Sequence, residues 1–326
     1  MRAVVVTRPG GLDALEVRDV PVPVREPGWV RIRVRAFGVN ESEVTTRKGE
    51  SDGEVTYPRV PGIEGVGVVE EADEGSGLRP GQRVATMMGG MGRSYDGSYA
   101  QYVTVPAGQV IPFETDLPWE VVGALPEMFQ TAYGSLTTGL DLRAGQTLLI
   151  RGGTSTVGLS AAALAKELGA TVLATTRHPG RAQDLRAVGV DHPVVDDGSI
   201  AEQIRSLVPG GVDAALELVG CSALPDTLKC VRMHGTVCFT GALGGAWSIP
   251  AFSPFMIPFG VRLTSYGGEA GDLPAPVFQQ QLQAVAEGRL KAPVAKVYHG
   301  LEQVQDAQAD LEDGTTPGKH VVVLDD

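Results

Sequence analysis

The sequence predicts an α/β protein that combines a doubly wound parallel sheet with a separate β-rich region. Two observations predict the sheet: residues 146–177 read as one strand–turn–helix–strand unit, and strands and helices then alternate as far as residue 239. The β-rich region is predicted by short apolar runs before residue 106, which proline and glycine interrupt repeatedly. A chain of 326 residues is long enough for two such domains.

The β-rich region begins with a strand at residues 2–6. Residues 29–36 alternate apolar and basic side chains, which is typical of a strand with one buried face and one solvated face. Glycines are spaced along residues 62–69, where the backbone must bend or approach another segment closely. Short strands of this kind predict a compact barrel or sandwich.

A helical segment is predicted at residues 119–139, and the repeated strand–helix pattern follows it. The predicted strands are 147–150, 171–175, 193–195, 212–218 and 235–239, and the predicted helices are 155–168, 181–188, 200–207 and 224–230. The C-terminal part adds helices at 278–287 and 304–312 and strands at 294–298 and 319–324.

The composition limits the class of partner. Hydrophobic residues make up 43% of the chain and the formal net charge is −12, as expected for an acidic globular protein. Because an acidic surface repels phosphate backbones and anionic lipids, we expect neither nucleic acid nor a membrane as a partner. No apolar run approaches the roughly 20 residues that span a bilayer, and the N-terminus lacks the pattern of a signal peptide. Three cysteines, an odd number, favour a reducing cytoplasm over a disulfide framework.

A glycine-rich turn between the first strand and the first helix of the sheet is the strongest candidate site. Residues 153–158 fit the G-x-G-x-x-G pattern when Ser155 stands for the middle glycine. An ordinary glycine-rich turn is the alternative, but the flanking strand, helix and second strand favour a dinucleotide site. Free N–H groups at the head of a helix attract phosphate, and the serine hydroxyl is expected to contribute. The candidate cofactor residues here are Gly153, Thr154, Ser155, Thr156, Val157 and Gly158.

The end of the second strand indicates which nicotinamide cofactor binds. A site for NAD usually has an acid about 20 residues past the glycines, where the acid accepts from the ribose 2′-hydroxyl. This strand instead ends in Thr175, Thr176 and Arg177, and Arg181 follows one helical turn later. Hydroxyl and guanidinium groups suit a 2′-phosphate, so NADPH is favoured over NADH. The alternative is that both arginines are solvated surface charges.

A metal site is not expected. Cys221, Cys230, His234 and Cys238 are close in sequence, but no C-x-x-C pair occurs among them. Two of the cysteines fall within a predicted helix and a predicted strand, so buried apolar cysteines are the simpler interpretation.

Five motifs, in order and with matching spacing, carry a resemblance to a known family. They are N-x-x-D-x-x-x-R-x-G at residues 40–49 with Glu43 for Asp, P-G-x-E-x-x-G-x-V at 61–69, G-D-R-V at 81–84 with Gln82 for Asp, T-A-Y at 131–133, and G-K-x-V at 318–321. With these motifs the chain resembles the medium-chain dehydrogenase/reductase superfamily, in its zinc-free, quinone-oxidoreductase-like branch around ζ-crystallin.

The resemblance implies a fold and an assembly. A discontinuous GroES-like catalytic domain, residues 1–120 and 260–326, would embrace an inserted Rossmann domain at residues 121–259. NADPH would lie in the cleft, and members of the family are often homodimers joined through their Rossmann sheets.

The resemblance also separates this chain from the zinc-dependent branch of the family. That branch has a catalytic Cys in the loop where this chain has Gly38-Val39-Asn40-Glu41, and a Gly-His-Glu where it has Gly62-Ile63-Glu64. The same branch has a four-cysteine zinc loop, whereas residues 1–220 here contain no cysteine. Without a Lewis acid to stabilise an alkoxide, alcohol oxidation is not the expected main activity.

Catalytic roles are implied for residues of the N-x-x-D loop and its surroundings. Asn40, Thr45 or Thr46 would donate hydrogen bonds to the oxygen that gains negative charge, and Tyr57 or water would supply the proton. Many relatives have a tyrosine in or just after this loop, and Tyr57 is the nearest one here. For Asn40 the alternative is a turn-forming residue that caps the local backbone.

Further residues are implied to hold the cofactor or the loop. Arg47 is expected to be structural, in a salt bridge to Glu43 or Glu64. The remaining cofactor candidates are Thr131 near the nicotinamide ribose, Phe239, Thr240 and Leu243 after the C-terminal end of a strand, and Lys319 by family position.

Hydride transfer needs little from side chains when the nicotinamide faces a good acceptor at close range. The first hypothesis is therefore a zinc-independent, NADPH-dependent oxidoreductase that transfers hydride to a quinone or an α,β-unsaturated carbonyl compound. Two alternatives stay open: an enoyl reductase acting on a thioester in a biosynthetic pathway, and a non-catalytic NADPH-binding protein.

Overall fold

The chain forms two compact units in a computed structural model that describes residues 1–51, 53 and 55–325. The first unit comprises Met1–Glu127, Glu269–Gly288 and Ala292–Asp326. The second unit comprises Met128–Gly268 with Arg289–Lys291.

Strands and helices are numbered in chain order. The strands are β1 (Arg2–Val6), β2 (Leu15–Asp19), β3 (Trp29–Val39), β4 (Glu64–Glu71), β5 (Arg83–Met87), β6 (Tyr102–Pro106), β7 (Val110–Pro112), β8 (Thr147–Arg151), β9 (Thr171–Thr176), β10 (His192–Val195), β11 (Val212–Glu217), β12 (Val231–Phe239), β13 (Arg262–Ser265), β14 (Val294–His299) and β15 (Lys319–Val323). The α-helices are α1 (Glu41–Lys48), α2 (Trp119–Val122), α3 (Leu125–Gly134), α4 (Thr156–Leu168), α5 (Ala182–Ala187), α6 (Ala201–Leu207), α7 (Leu224–Cys230), α8 (Ala275–Ala286) and α9 (Val304–Asp313).

A seven-stranded sheet forms the centre of the first unit. Its order is β14-β15-β3-β4-β5-β7, and β6 pairs with β3. Strands β14 and β15 run parallel, and the other pairs are antiparallel. The 11 residues of β3 alternate between buried and half-buried positions along much of the strand, as the apolar–basic alternation predicts. Phe37 stacks on Tyr99 in the core beneath it, with ring centroids 4.6 Å apart.

A six-stranded parallel sheet forms the centre of the second unit. Its order is β10-β9-β8-β11-β12-β13, and every neighbouring pair is parallel. Alternate residues of β8 belong to different cores: Leu148 and Ile150 pack in one cluster and Leu149 in another. The predicted doubly wound sheet is thereby confirmed. The strand order reverses between β8 and β11, and ligands of such sheets bind outside the carboxyl ends of the strands at that point.

Strand β13 extends the parallel sheet beyond residue 259, where the sequence analysis ends the inserted domain. It pairs with β12 over residues 236–239 and belongs to the second unit. Its sequence is Arg-Leu-Thr-Ser and none of the four residues is fully buried, so no apolar run indicates a strand there.

The predicted helix at residues 119–139 is divided in the structure. Helix α2 ends at Val122, α3 begins at Leu125, and a π-helical turn covers Ser135–Gly139. Pro126 accounts for the first break, because proline has no N–H to donate to the carbonyl of Val122.

Candidate active site

The glycine-rich turn lies at the carboxyl end of β8. Gly152 donates its N–H to Thr175 Oγ1, and Gly153 donates its N–H to the Thr175 carbonyl, both at 3.0 Å. Ser155 is the N-cap of α4: its Oγ accepts from the Gly158 N–H at 3.1 Å and donates to the Gly152 carbonyl at 2.7 Å. Because both hydrogen bonds of this hydroxyl are local, the backbone N–H groups are the donors of the turn that remain for a phosphate.

Two glycines of the turn have no room for a side chain. A Cβ on Gly158 would lie 2.5 Å from the Gly152 carbonyl oxygen, and a Cβ on Gly153 would lie 2.7 Å from Ala174 Cβ. Close approach of helix to strand is the role of such glycines in a dinucleotide fingerprint. The turn therefore fits the pyrophosphate of a dinucleotide, with the half-buried Thr156 and Val157 at the open helix end.

The residues after β9 differ in their exposure. Thr175 and Thr176 are buried, and Thr176 Oγ1 accepts from the His178 N–H at 3.2 Å. Arg177 is exposed and Arg181 is half-buried. The two arginines therefore lie beside the strand end with side chains that solvent can reach.

A buried arginine that the sequence analysis passed over occupies the same edge of the sheet. Arg151, the last residue of β8, is 1% exposed and binds both carboxylate oxygens of Asp196, at 2.8 and 3.0 Å. It also binds Asp226 at 2.9 Å and Thr227 Oγ1 at 3.1 Å. Although burial acts in the opposite direction, the hydrogen bond from Arg151 lowers the pKa of Asp196. The sequence signal that could have identified Arg151 is a charged residue at the end of an otherwise apolar strand.

Two candidates from other elements, Thr131 and Thr240, are linked through the hydroxyl group of Ser135. Ser135 Oγ donates to the carbonyl of Thr131 at 2.7 Å and is 3.0 Å from Thr240 Oγ1. Thr240 follows the end of β12 directly, next to the half-buried Phe239. The structure thus brings Thr131 and Thr240 together around one serine.

Leu243 approaches the glycine turn. Its N–H donates to the Leu218 carbonyl at 3.0 Å, and a Cβ on Gly152 would lie 3.5 Å from Leu243 Cδ1. The side chain is 57% exposed, which is high for a leucine beside a sheet edge. Most cofactor candidates of the second unit therefore lie at the carboxyl ends of β8, β9 and β12.

In the first unit, the predicted loop at Asn40 is the start of helix α1. Glu43 Oε2 accepts from the Asn40 N–H at 2.8 Å, and Glu43 Oε1 accepts from the Ile63 N–H at 2.8 Å. Burial raises the pKa of Glu43 to about 7, although these hydrogen bonds favour its charged form. Asn40 thus has the capping position that we gave as the alternative for it.

Lys319 lies at the centre of a buried charge cluster. Its ammonium group is 2.8 Å from Glu64 Oε1 and 3.0 Å from Glu127 Oε2, and it donates to Asn40 Oδ1. Burial alone would lower the pKa of Lys319, but the two carboxylates raise it. Asn40 Nδ2 donates to Glu64 Oε1 at 3.0 Å and to Glu43 Oε1 at 3.3 Å. These contacts all lie within the first unit, and a cofactor contact by Lys319 stays a prediction.

The other predicted donors of the first unit also have partners. Thr45 Oγ1 donates to the Ser42 carbonyl at 3.0 Å, and Thr46 Oγ1 shares a hydrogen bond with Ser51 Oγ at 2.9 Å. Tyr57 donates its hydroxyl hydrogen to the Thr46 carbonyl at 2.6 Å. The structure brings these residues together around α1 and commits the hydroxyl hydrogens of Thr45 and Tyr57 to backbone carbonyls, whereas either Thr46 or Ser51 can be the donor of their shared bond.

Arg47 has a structural role, but with a different partner from those expected. Its guanidinium is 1% exposed and forms an ion pair with Glu312 of α9 at 2.5 Å. Glu43 and Glu64 are instead occupied by the hydrogen bonds around Asn40 and Lys319. The expected pairing is wrong because Glu312 is distant in sequence and only the fold brings it to α1.

The described residues lack two further features. No group of three or more His, Cys, Asp or Glu side chains is arranged to hold a metal ion. None of the described helices is long and apolar enough to cross a bilayer. A pocket of about 1260 Å³ in the first unit is lined by Arg79, Arg83, Glu114 and Gln279 among others, and contains none of the candidate residues.

Two protein-family models match the chain. The alcohol dehydrogenase GroES-like domain matches residues 26–115, and the zinc-binding dehydrogenase model matches residues 156–283. The matches fall on the β-rich first unit and mainly on the parallel sheet of the second, in the order that the motifs predict. The chain belongs to the medium-chain dehydrogenase/reductase superfamily.

Members of this superfamily resemble the chain over almost its whole length. Human quinone oxidoreductase is 28% identical over 335 residues, covering 99% of this chain and 98% of its own. The rat synaptic vesicle membrane protein VAT-1 homolog is 26% identical over 347 residues, covering 99% and 84%. A mycobacterial protein solved in complex with NADPH has a TM-score of 0.86 at 27% identity, covering 99% of each chain. These relatives support an oxidoreductase of the superfamily.

Proposed function

We propose that the chain is a zinc-independent reductase that uses NADPH to reduce quinones or α,β-unsaturated carbonyl compounds. The observation that carries this proposal is the glycine turn, where Gly153 and Gly158 leave no room for a Cβ and β9 ends in Thr175-Thr176-Arg177. When bound, NADPH supplies a hydride from C4 of its nicotinamide.

The residues of the second unit have separate tasks in this proposal. The N–H groups at the start of α4 bind the pyrophosphate, and Arg177 and Arg181 bind the 2′-phosphate. Arg151 offsets the charge of Asp196, which would otherwise repel the phosphates from the same sheet edge. The NADPH complex of the mycobacterial relative supports the choice of cofactor for a protein of this fold.

Independence from zinc rests on the side chains at the family's metal positions. Asn40 and Ile63 stand near the places of the family's cysteine and histidine ligands, and neither provides a thiolate or an imidazole. Asn40 Oδ1 and Glu64 are bound to the Lys319 ammonium, a cation that is already built into the fold. These residues do not fit a zinc ion.

The acceptor class follows from the chemistry that remains. Quinones and enones accept a hydride without a metal because the charge spreads onto an oxygen that hydrogen bonds can stabilise. Two relatives, at 28% and 29% identity, are named for redox reactions of carbonyl compounds or lipids: human quinone oxidoreductase and bovine prostaglandin reductase-3. The substrate of this chain is proposed by analogy with them.

A homodimer is the assembly that the second unit favours. Strand β13 is the edge of the parallel sheet, and Phe255 and Phe259, just before it, are 97% and 93% exposed. Met233, which is 57% exposed, lies against Gly260 and extends the same apolar surface. An open strand edge beside exposed aromatic rings is covered when a second copy packs against it.

A cytoplasmic location fits the three cysteines, all of which are free thiols. Two of them, Cys230 and Cys238, are buried within the second unit.

The test is oxidation of NADPH by the purified protein, followed at the absorbance of the reduced nicotinamide. A quinone, an enone and an enoyl thioester are offered in turn, each with NADPH and with NADH. We expect turnover with NADPH and the first two acceptors. Turnover restricted to the thioester would make the chain an enoyl reductase, and tight NADPH binding without turnover would leave a non-catalytic binding protein.

A further inference from the structure

Ser42 of α1 and Arg93 form a serine–arginine pair with a hydroxyl hydrogen that can be donated to a ligand. Arg93, in the loop between β5 and β6, donates from Nη2 to Ser42 Oγ at 2.7 Å. Both side chains are half-buried, so a ligand can reach them. Because Ser42 Oγ accepts this bond and has no acceptor of its own in the described part of the chain, its hydrogen is available to a ligand.

The loop that carries Arg93 is bound by backbone hydrogen bonds to the segment that precedes β4. The Gly97 N–H donates to the Val60 carbonyl at 2.8 Å, and the Ser98 N–H donates to the Gly62 carbonyl at 3.2 Å. These two hydrogen bonds fix the loop just after Arg93, and the Arg93 side chain reaches α1 from it.

Among the described residues, no carboxylate pairs with the Arg93 guanidinium. Over the described residues it forms no ion pair, and its buried Nε has no hydrogen-bond partner. The carboxylate of Glu43, in α1, instead accepts from the N–H groups of Asn40 and Ile63. The carboxylate of Glu312 pairs with Arg47 and Lys48. A partly desolvated cation without a counter-ion costs free energy, and an anionic oxygen at Ser42 would offset that cost.

We propose that Ser42, positioned by Arg93, binds the carbonyl oxygen of the acceptor and stabilises the negative charge that this oxygen gains. Ser42 Oγ donates its hydrogen to that oxygen, and Arg93 polarises the hydroxyl and supplies the positive charge. Ser42 is then a catalytic residue and Arg93 a positioning residue. The inference rests on the proposed function, because it assigns the site of the acceptor in that reaction.

The step consumes one hydride from NADPH and one proton from water for each acceptor molecule. The acceptor's β-carbon gains the hydride with both its electrons, the C=C electron pair moves to form the enolate double bond, and the carbonyl pair moves onto oxygen. Ser42 keeps its proton and shares it with this oxygen as a hydrogen bond. A proton from water then forms the C–H bond at the α-carbon, and the carbonyl re-forms.

The kinetic test compares Ser42→Ala and Arg93→Met with matched controls in the same unit. We expect each substitution to lower kcat about 10²-fold or more while KM for NADPH changes little, because one oxyanion donor is typically worth that factor. The double variant should be little worse than either single variant, because the two residues act as one unit.

Ser76→Ala and Arg31→Met, which remove the same groups elsewhere in the first unit, should retain wild-type kcat. Wild-type kcat in Ser42→Ala would overturn the inference and leave the proposed function standing.

A binding test does not depend on turnover. 4-Nitrophenol is added to the cofactor-free protein, and the phenolate absorbance is recorded against pH. We expect the pH midpoint of 4-nitrophenol ionisation to be lower by about one pH unit or more when the phenol is bound to the wild-type protein than when it is free. The reason is that a hydrogen-bond donor and a nearby cation favour the phenolate anion. The fall should disappear in Arg93→Met and return in part in Arg93→Lys. An unshifted midpoint in the wild-type protein would overturn the inference even if no acceptor is reduced.

Discussion

At the scale of single residues, buried charges around α1 decide which groups remain able to act on a ligand. Lys319, Glu64 and Asn40 bind one another, and Glu43 is bound to backbone N–H groups. The pKa of Glu43 is raised to about 7 by burial, so this carboxyl titrates near neutral pH in the folded protein. Its titration therefore couples the stability of the first unit to pH.

The sign of this coupling follows from linkage. A carboxyl whose pKa is raised on folding binds more protons in the folded state, so its contribution to stability is lost as pH rises from about 4.5 to about 7. We expect the free energy of unfolding to fall across this window, and Glu43→Gln to remove up to about 1.4 kcal/mol per pH unit of that slope. Urea denaturation at several pH values measures it, with the exposed Glu26→Gln as control. Equal slopes in wild type and Glu43→Gln would contradict the assignment.

The proposed preference for NADPH over NADH depends on Arg177. We expect Arg177→Ala to raise KM for NADPH about 10- to 100-fold, because a hydrogen bond to a charged group contributes about 1.5–3 kcal/mol. KM for NADH should change little, since NADH has no 2′-phosphate. Arg186→Ala, which removes another exposed cation of the second unit, is the control. Equal effects of Arg177→Ala on both cofactors would mean that the arginine supports the fold and not the phosphate.

Single residues also show where sequence reasoning stops. The motif at residues 40–49 singles out the segment that forms α1, but it does not show that Thr45 donates to the Ser42 carbonyl or that Tyr57 donates to the Thr46 carbonyl. Arg93 lies 51 residues from Ser42, and no local pattern connects the two. Hydrogen-bond partners are properties of the tertiary structure, so residue type and spacing name the candidates but not the groups that remain available.

At the scale of elements, two helix starts shape the candidate sites. Helix α1 begins after Asn40, has Glu43 in its first turn and Arg47 in its last turn, and ends at Gly49, whose φ is 76°. These are recognised start and stop signals, and they were available in the sequence. From the motif resemblance we expected a loop at this segment instead.

Helix α4 depends on Ser155 for its cap. We expect Ser155→Ala to lower the free energy of unfolding by about 1 kcal/mol, because the Gly158 N–H loses its acceptor, whereas Ser155→Gly should cost only a few tenths. NADPH affinity should change less than stability does in both variants, since the hydroxyl also donates to Gly152. A large loss of NADPH affinity in Ser155→Ala without loss of stability would instead mean that the hydroxyl binds phosphate directly.

At the scale of the whole molecule, the strand–helix alternation and the motif order predict both the parallel sheet and its place after a β-rich region. Strand β13 was not predicted, because its four residues are partly exposed in the isolated chain and form no apolar run. Its environment depends on what covers the edge of the sheet, and that information is not contained in a local pattern.

The proposed dimer makes this edge testable. We expect Phe255→Ser combined with Phe259→Ser to convert the wild-type dimer to a monomer, because the apolar surface that a second copy would cover is lost. Light scattering after size-exclusion chromatography measures the mass, and circular dichroism checks the fold. Val24→Ser, at an 86% exposed position of the first unit, is the control and should remain dimeric. A wild-type protein that is monomeric at micromolar concentration would contradict the proposal.

The central claim is direct hydride transfer from NADPH to an electron-poor carbon without a metal. Its most direct measurement uses NADPH labelled with deuterium at C4, in each of its two stereochemical forms, with an enone acceptor and protein treated with a zinc chelator. We predict that one labelled form, and not the other, delivers deuterium to the β-carbon of the product at an undiminished rate. Product without deuterium from either form, or loss of turnover on chelation, would contradict the account.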